Sequence, residues 1–263
     1  MDKATIGGVL MALGGILAGL LLEGGNLSQI LQPTAAMIVF GGTLGAILIQ
    51  FPLPVVVSAG RKLAHIFVEP RENVVSLIQE LVKYAKRARR DGIVALDDEL
   101  PKIVDPFLRK ALMLAVDGTE PQELRKMMEL DLDNQAERDE KIPQVFESAG
   151  GFSPTIGIIG AVLGLIQVMQ HLDKIDEVGR GIAVAFVATI YGVGAANLFF
   201  LPSAGKLKIR MREEQLTREM TLEGVVSILE GMNPRMLEAK LLGFLAEAKK
   251  KEEPEAEQSE SAL

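Results

Sequence analysis

The sequence has no cysteine and only two histidines, His65 and His171, among its 263 residues. Without cysteine there is no disulfide, no thiolate nucleophile and no cysteine metal site. Two histidines leave little room for imidazole chemistry, and no cluster of nucleophile, base and metal ligands stands out, which argues against a membrane enzyme. No metal or other cofactor is expected. The most telling scarcity is local. Asp, Glu, Lys and Arg are absent from four windows: Thr5 to Leu22, Gly24 to Gly60, Ser148 to Leu172 and Gly181 to Gly205. A run of about 18 or more apolar residues is the signature of a transmembrane helix. The average composition, 48% apolar and 24% charged, would not reveal this; the distribution does.

The chain therefore reads as an all-α polytopic membrane protein. Four transmembrane helices are expected, with a helical cytoplasmic domain between spans two and three. Lys3 is followed by about eighteen uncharged residues with no clear small-x-small site, so the N-terminus reads as a retained first span rather than a cleaved signal. Span one, Thr5 to Leu22, carries a GxxxG step at Gly15 and Gly19. Span two, about Pro33 to Phe51, carries another at Gly41 and Gly45 and is ended by Pro52 and Pro54. Such steps allow close helix approach in lipid. The short uncharged link between these spans implies an antiparallel hairpin. Spans three and four fall at Phe146 to Met169 and Gly181 to Pro202.

Cations crowd beside particular span ends: Arg61, Lys62 and Arg71 after span two, and Lys206, Lys208, Arg210 and Arg212 after span four. The positive-inside rule puts these ends, and both termini, in the cytoplasm. The acidic loop Asp173, Lys174, Asp176, Glu177 then lies on the outer face. The expected organisation is residues 1–60 for spans one and two, 61–147 for the cytoplasmic domain and 148–205 for spans three and four. Residues 206–250 follow as cytoplasmic helices, and 251–263 as a disordered acidic tail. The net charge of −7 owes much to that tail, and nucleic-acid binding is not expected.

Within the cytoplasmic segment, Val74, Val75, Ile78, Leu81, Val82 and Ala85 form one stripe of a helix over Glu72 to Arg90 that Gly92 breaks. Shorter helices follow at Ala95 to Leu100 and Pro106 to Val116. Thr119 reads as an N-cap with Gln122 at the capping-box position. The helix it starts, with Leu124, Met127, Met128 and Leu132 on its apolar face, leads towards span three. Lys206 to Leu229 extends span four, Gly231 to Pro234 is a break, and Met236 to Ala248 is a last amphipathic helix. No strand signal and no repeat are evident.

Three features bear on function. Spans three and four each carry a threonine and a proline: Thr155 with Pro154, and Thr189 with Pro202. A proline in a membrane helix frees a backbone carbonyl, and a threonine oxygen can serve a passing cation or its water. The plainer alternative is a hydroxyl bonded back to its own helix and a proline that marks a kink. The second feature is an absence: no span has an ionisable residue in its middle. A proton or sodium carrier needs one, so a conducting complex must take its carboxylate from a partner. The third is the run Lys86-Arg87-Ala88-Arg89-Arg90-Asp91-Gly92 followed by Leu96-Asp97-Asp98-Glu99. It reads either as a solvated charged face or as a docking surface for a charged partner.

Four stretches carry a resemblance: FESAGGFSPTIGIIGAVLGLI in span three, GIAVAFVATIYGVGAANLFFLP in span four, RRDGIVALDDEL in the cytoplasmic segment and ILEGMNPRMLEAKLLGFL near the end. Together they are similar to the flagellar stator subunits of the MotA/TolQ/ExbB proton-channel family, of the PomA and MotC type, over about residues 1 to 246. The resemblance implies a homopentamer around the membrane helices of two MotB-type chains, whose aspartate binds the ion, in the bacterial inner membrane. Ion passage would turn the pentamer against the rotor protein FliG. Thr155 and Thr189 match the threonines facing that aspartate, and Pro154 and Pro202 the prolines linked to torque. Arg89 matches the rotor-binding arginine, and Asp97 stands where the family usually has glutamate; Arg90 and Asp98 are adjacent candidates. The transported ion is a proton, with sodium as the alternative. Rival expectations are a TolQ/ExbB-like energiser, which usually has one span before the cytoplasmic domain where this chain has two, and a non-conducting scaffold.

Overall fold

A computed structural model describes residues 2–66 and 74–244. Among them there is no strand, and four helices are long and apolar enough to cross a membrane. The chain divides into two compact units, one of residues 1–69 and 138–210 and one of residues 70–137 and 211–263.

In the first unit, span one is the helix Lys3–Leu22. Asp2 caps it, its Oδ1 accepting from the Thr5 amide at 3.1 Å. The same carboxylate binds Lys206 and, at 3.0 Å, Arg210. The hydrogen bond from Lys206 holds it well below the usual carboxylate range. No residue of span one is buried. Span two is Pro33–Gln50, with a wider π turn over Met37–Gly41. Its Ala35 and Val39 pack on Val184, Val187, Ala188 and Tyr191 of span four. Tyr191 also fixes the entry to span two, donating to the Ile30 carbonyl at 2.5 Å and accepting from the Gln32 amide at 3.3 Å. An apolar ring with a satisfied hydroxyl is well suited to such a joint.

Pro52 and Pro54 do end span two, with Phe51 extended as a residue before proline should be. They do not end helix formation. A further helix, Leu53–His65, starts at once, because a proline in the first turn removes only an amide with no helical partner.

The glycine steps expected to bring spans one and two against neighbours do not do so within this chain. A Cβ at Gly15, Gly19, Gly41 or Gly45 would have nothing within 4 Å. Close approach is found instead at Gly42 of span two, where a Cβ would lie 2.8 Å from Ile156, and between spans three and four. A Cβ on Gly157 would lie 2.8 Å from the Ala188 carbonyl oxygen, one on Gly164 2.8 Å from that of Gly181, and one on Gly192 2.6 Å from that of Ser153. A small-residue motif permits approach, but only a helix standing opposite makes use of it.

The second unit has a side-chain core. Ile78, Leu81, Val82 and Ala85 of the helix Val74–Asp91 are buried, with Leu96, Leu108, Leu112, Leu124, Met128, Val225, Leu237 and Leu241 from the elements around it. Val75 and Met127, expected on apolar faces, are 50% and 42% exposed. The 3₁₀ segment Ile93–Lys102 outruns the expected short helix, and Pro106–Val116 follows, capped by Asp105. The next helix begins at Pro121, so Glu120 and not Thr119 takes the cap position. The Thr119 amide instead donates to the Leu114 carbonyl at 3.1 Å, closing the previous helix with Gly118 at φ +84°. This helix, Pro121–Gln170, runs unbroken through Pro143 and Pro154 to the end of span three. Span four likewise continues to Leu229. A last helix occupies 234–244. Arg125 binds Glu223 at 2.8 Å and Lys240 binds the same carboxylate, which ties three helices together. The expected end of the last helix at Ala248 and the acidic tail lie outside the described residues.

Candidate functional site

Spans three and four form a hairpin whose closest contact surrounds the two threonines. Ser153, fully buried, donates its hydroxyl to the Gly192 carbonyl at 2.9 Å, and Gly157 stands opposite Ala188 and the Thr189 backbone. These contacts fix Pro154 and Thr155 on one helix against Thr189 and Gly192 on the other. Thr155 is exposed and Thr189 half-buried.

Each threonine hydroxyl donates to the carbonyl three residues earlier in its own helix, Thr155 to Phe152 at 2.8 Å and Thr189 to Phe186 at 2.6 Å. The plainer of the two sequence readings thus describes where the hydroxyl protons go. It does not exhaust the oxygens. A hydroxyl that has given its proton to a carbonyl keeps its lone pairs, and so presents an acceptor to a cation or water. Around them the exposed side chains are apolar: Ile158, Ile159 and Val162 on span three, Phe186, Ile190 and Val193 on span four.

The two prolines act differently. Pro154 lies inside a continuous α-helix, where it denies the Gly150 carbonyl its usual amide. Pro202 is preceded by a π segment, Ala196–Phe200, with the Leu201 amide reaching back to the Ala196 carbonyl. Widening by one residue shifts the hydrogen-bond register ahead of the proline but does not restore the donor that it lacks.

The four charged candidates of the second unit are not equivalent. Gly92, at φ +86°, reverses the chain after Asp91 and brings the 3₁₀ segment back beside the end of the helix. Arg87 clasps the two, binding Glu99 and, at 3.2 Å, Asp98. Glu99 is 9% exposed and also meets Lys102 at 3.3 Å, whose hydrogen bond holds its carboxyl below the ordinary range. Arg90 engages its neighbour Asp91 through two bonds of 2.8 and 2.7 Å. Arg89 and Asp97 are exposed and make no hydrogen bond or ion pair to another described residue. Arg90 and Asp98 are therefore partly occupied locally, while Arg89 and Asp97 remain available. Sequence reasoning missed the clasp of Arg87 and Glu99 and the buried Ser153. Both depend on pairings across a turn or between helices, and no spacing rule marks them.

Comparison with known proteins gives concordant results. The MotA/TolQ/ExbB proton channel family matches residues 99–220, and the motility protein A N-terminal family matches residues 6–92. Motility protein A of Bacillus subtilis is 35% identical over 246 residues, 93% of this chain and 91% of the relative. Motility protein A of Helicobacter pylori is 33% identical, covering 94% and 96% of the two chains. Chemotaxis protein PomA of Vibrio alginolyticus is 30% identical, covering 95% and 98%. Among solved structures, C. jejuni MotAB superposes with a TM-score of 0.87 at 33% identity, covering 93% of this chain and 96% of the other. The flagellar MotAB stator complex from Bacillus subtilis gives 0.84 at 34% identity, covering 95% and 99%.

Proposed function

We propose that the chain, which belongs to the MotA/TolQ/ExbB proton channel family, is the ion-conducting stator subunit of a bacterial flagellar motor and works with a MotB-type partner in the inner membrane. One observation carries the mechanism: spans three and four offer threonine oxygens in a charge-free wall and no carboxylate. A wall of acceptors without a titrating group makes half an ion path. The other half, a carboxylate that binds and releases the ion, comes from the partner's membrane helix.

Thr155 and Thr189 then face that carboxylate and help strip and replace the water of the passing ion. Copies of the chain, five by resemblance, surround the partner helices, and each ion passage shifts the carboxylate from one copy to the next. An elementary charge falling through 100 mV releases about 2.3 kcal/mol, enough to bias such a step. Pro154 and Pro202 sit where the two helices can yield as it occurs. Arg89 and Asp97 present opposite unpaired charges to the rotor protein FliG, and such patches steer and orient a partner more than they add affinity. The cation-rich ends beside Arg61 and Lys206, together with both termini, face the cytoplasm, where that rotor surface must lie. The ion is a proton, with sodium as the alternative that the partner's share of the site decides.

Expressing the chain with and without its MotB-type partner tests this reading. Ion flux into vesicles should need both chains. Equal flux from the chain alone would overturn the half-path account.

A further inference from the structure

Span four holds one more polar side chain that helix packing does not explain. Asn197 lies exposed within the π segment Ala196–Phe200. Its Nδ2 donates to the Val193 carbonyl at 3.0 Å, and no described residue donates to its Oδ1. The backbone beside it is also short of donors. The Leu201 amide is used on Ala196, and Pro202 has no amide for the next carbonyl, that of Asn197 in π register or Leu198 in α register. Acceptors therefore exceed donors at this point, on a face whose neighbours Phe186, Ile190 and Val193 are exposed and apolar.

Hydrocarbon offers nothing to an unpaired carbonyl or amide oxygen, and leaving either there is costly. Water or a cation satisfies such oxygens. Asparagine side-chain and backbone carbonyls are ordinary ligands for hard cations. Thr189, Val193 and Asn197 follow one another at four-residue intervals, so Asn197 stands about 12 Å beyond Thr189 along the helix, towards the end that carries Lys206.

We infer that the Asn197 Oδ1, with the carbonyl that Pro202 leaves without a donor, forms a second station for the hydrated monovalent cation, between Thr189 and the Lys206 end of span four. The inference rests on the reading that spans three and four line the ion path. It also gives the π segment a role: the wider turn opens the backbone oxygens that a regular helix would keep in its ladder.

The test uses the full complex with its MotB-type partner in vesicles, comparing wild type, Asn197→Leu, Asn197→Ser and Thr189→Val. Flux under an imposed potential is read with a pH-sensitive dye and, separately, with sodium, and assembly by co-purification of the two chains. Asn197→Leu should assemble normally and conduct about tenfold less, the equivalent of one lost hydrogen bond in the barrier, while Asn197→Ser keeps a larger share. Wild-type flux in Asn197→Leu with impaired Thr189→Val would overturn the second station alone. Wild-type flux in both would overturn the ion-path reading as well. Loss of assembly in either Asn197 variant would overturn the inference too, because the amide would then be bonding a neighbouring helix.

Discussion

The two units solve the problem of helix packing in opposite ways. In the unit of residues 70–137 and 211–263, large side chains interlock: Leu81, Leu112, Leu124, Met128 and Leu241 are fully buried, and the network of Arg125, Glu223 and Lys240 binds helices at its edge. In the unit of residues 1–69 and 138–210, backbone meets backbone at Gly157, Gly164 and Gly192, while large apolar side chains such as Leu10, Met11, Ile49 and Phe186 point outward. The difference follows from the solvent. In water, burying a leucine is itself the driving force; in lipid a leucine gains little by turning inward, and association rests on close approach and a few hydrogen bonds. Beside these glycine contacts Thr155 stays exposed and Thr189 half-buried.

Core truncation should expose this contrast most strongly. Leu112→Ala should destabilise the second unit by about 2–5 kcal/mol, whereas Ile49→Ala should leave the fold of the single chain almost untouched. Thermal unfolding of the purified complex would measure both. Equal losses would mean that Ile49 is as buried in the assembly as Leu112 is in the chain.

The converse substitution reverses the ranking. Gly192→Leu places a side chain against the Ser153 carbonyl and should cost about 1–3 kcal/mol or prevent the hairpin from closing, while Gly15→Ala meets nothing in its own chain. The yield of assembled complex reports on both. A large loss from Gly15→Ala would place the span-one seam at a contact between chains.

Ionic networks should make both units acid-sensitive, through Asp2 with Lys206 and Arg210 in the first and through Glu223 in the second. Burial raises the Glu223 carboxyl, but hydrogen bonds from Lys240 and Arg125 outweigh it and leave the group below its ordinary value. A depressed carboxyl contributes stability that is present above its unfolded pKa and lost as pH falls through the folded one. Glu223→Gln should therefore cost on the order of 1 kcal/mol near neutral pH, with the difference from wild type vanishing in acid. A difference that persisted in acid would assign the loss to packing. At the surface, Arg90→Ala should change stability by less than about 1 kcal/mol. Arg89→Glu, by contrast, should impair swimming while the complex stays assembled in the membrane.

Much of this arrangement was legible beforehand for a simple reason. The four spans are written as absences of charge over a bilayer's width, and the helix stripes of the second unit as apolar periodicity, so Ile78, Leu81, Val82 and Ala85 could be placed inward from spacing. What escaped depended on knowing what stands opposite. GxxxG alone does not decide: the step at Gly160 and Gly164 has a helix facing it within the chain, as do Gly157, Gly181 and Gly192, whereas the step at Gly15 and Gly19 has none. Pro52 and Pro54 read as a stop and proved to be a restart. The π segment before Pro202 leaves no periodic trace, because ladder register is not encoded in side-chain spacing. Among the charged residues, only the fold could show that Arg87 is committed to Glu99 while Arg89 is not.

The central claim is that spans three and four form an ion-path wall through threonine oxygens. Thr189→Val keeps the shape of the side chain and removes the hydroxyl. In vesicles holding equal amounts of assembled complex, the account predicts a clear fall in ion flux for this variant. Flux equal to wild type would contradict it, and would leave the Thr189 hydroxyl no task beyond its bond to the Phe186 carbonyl.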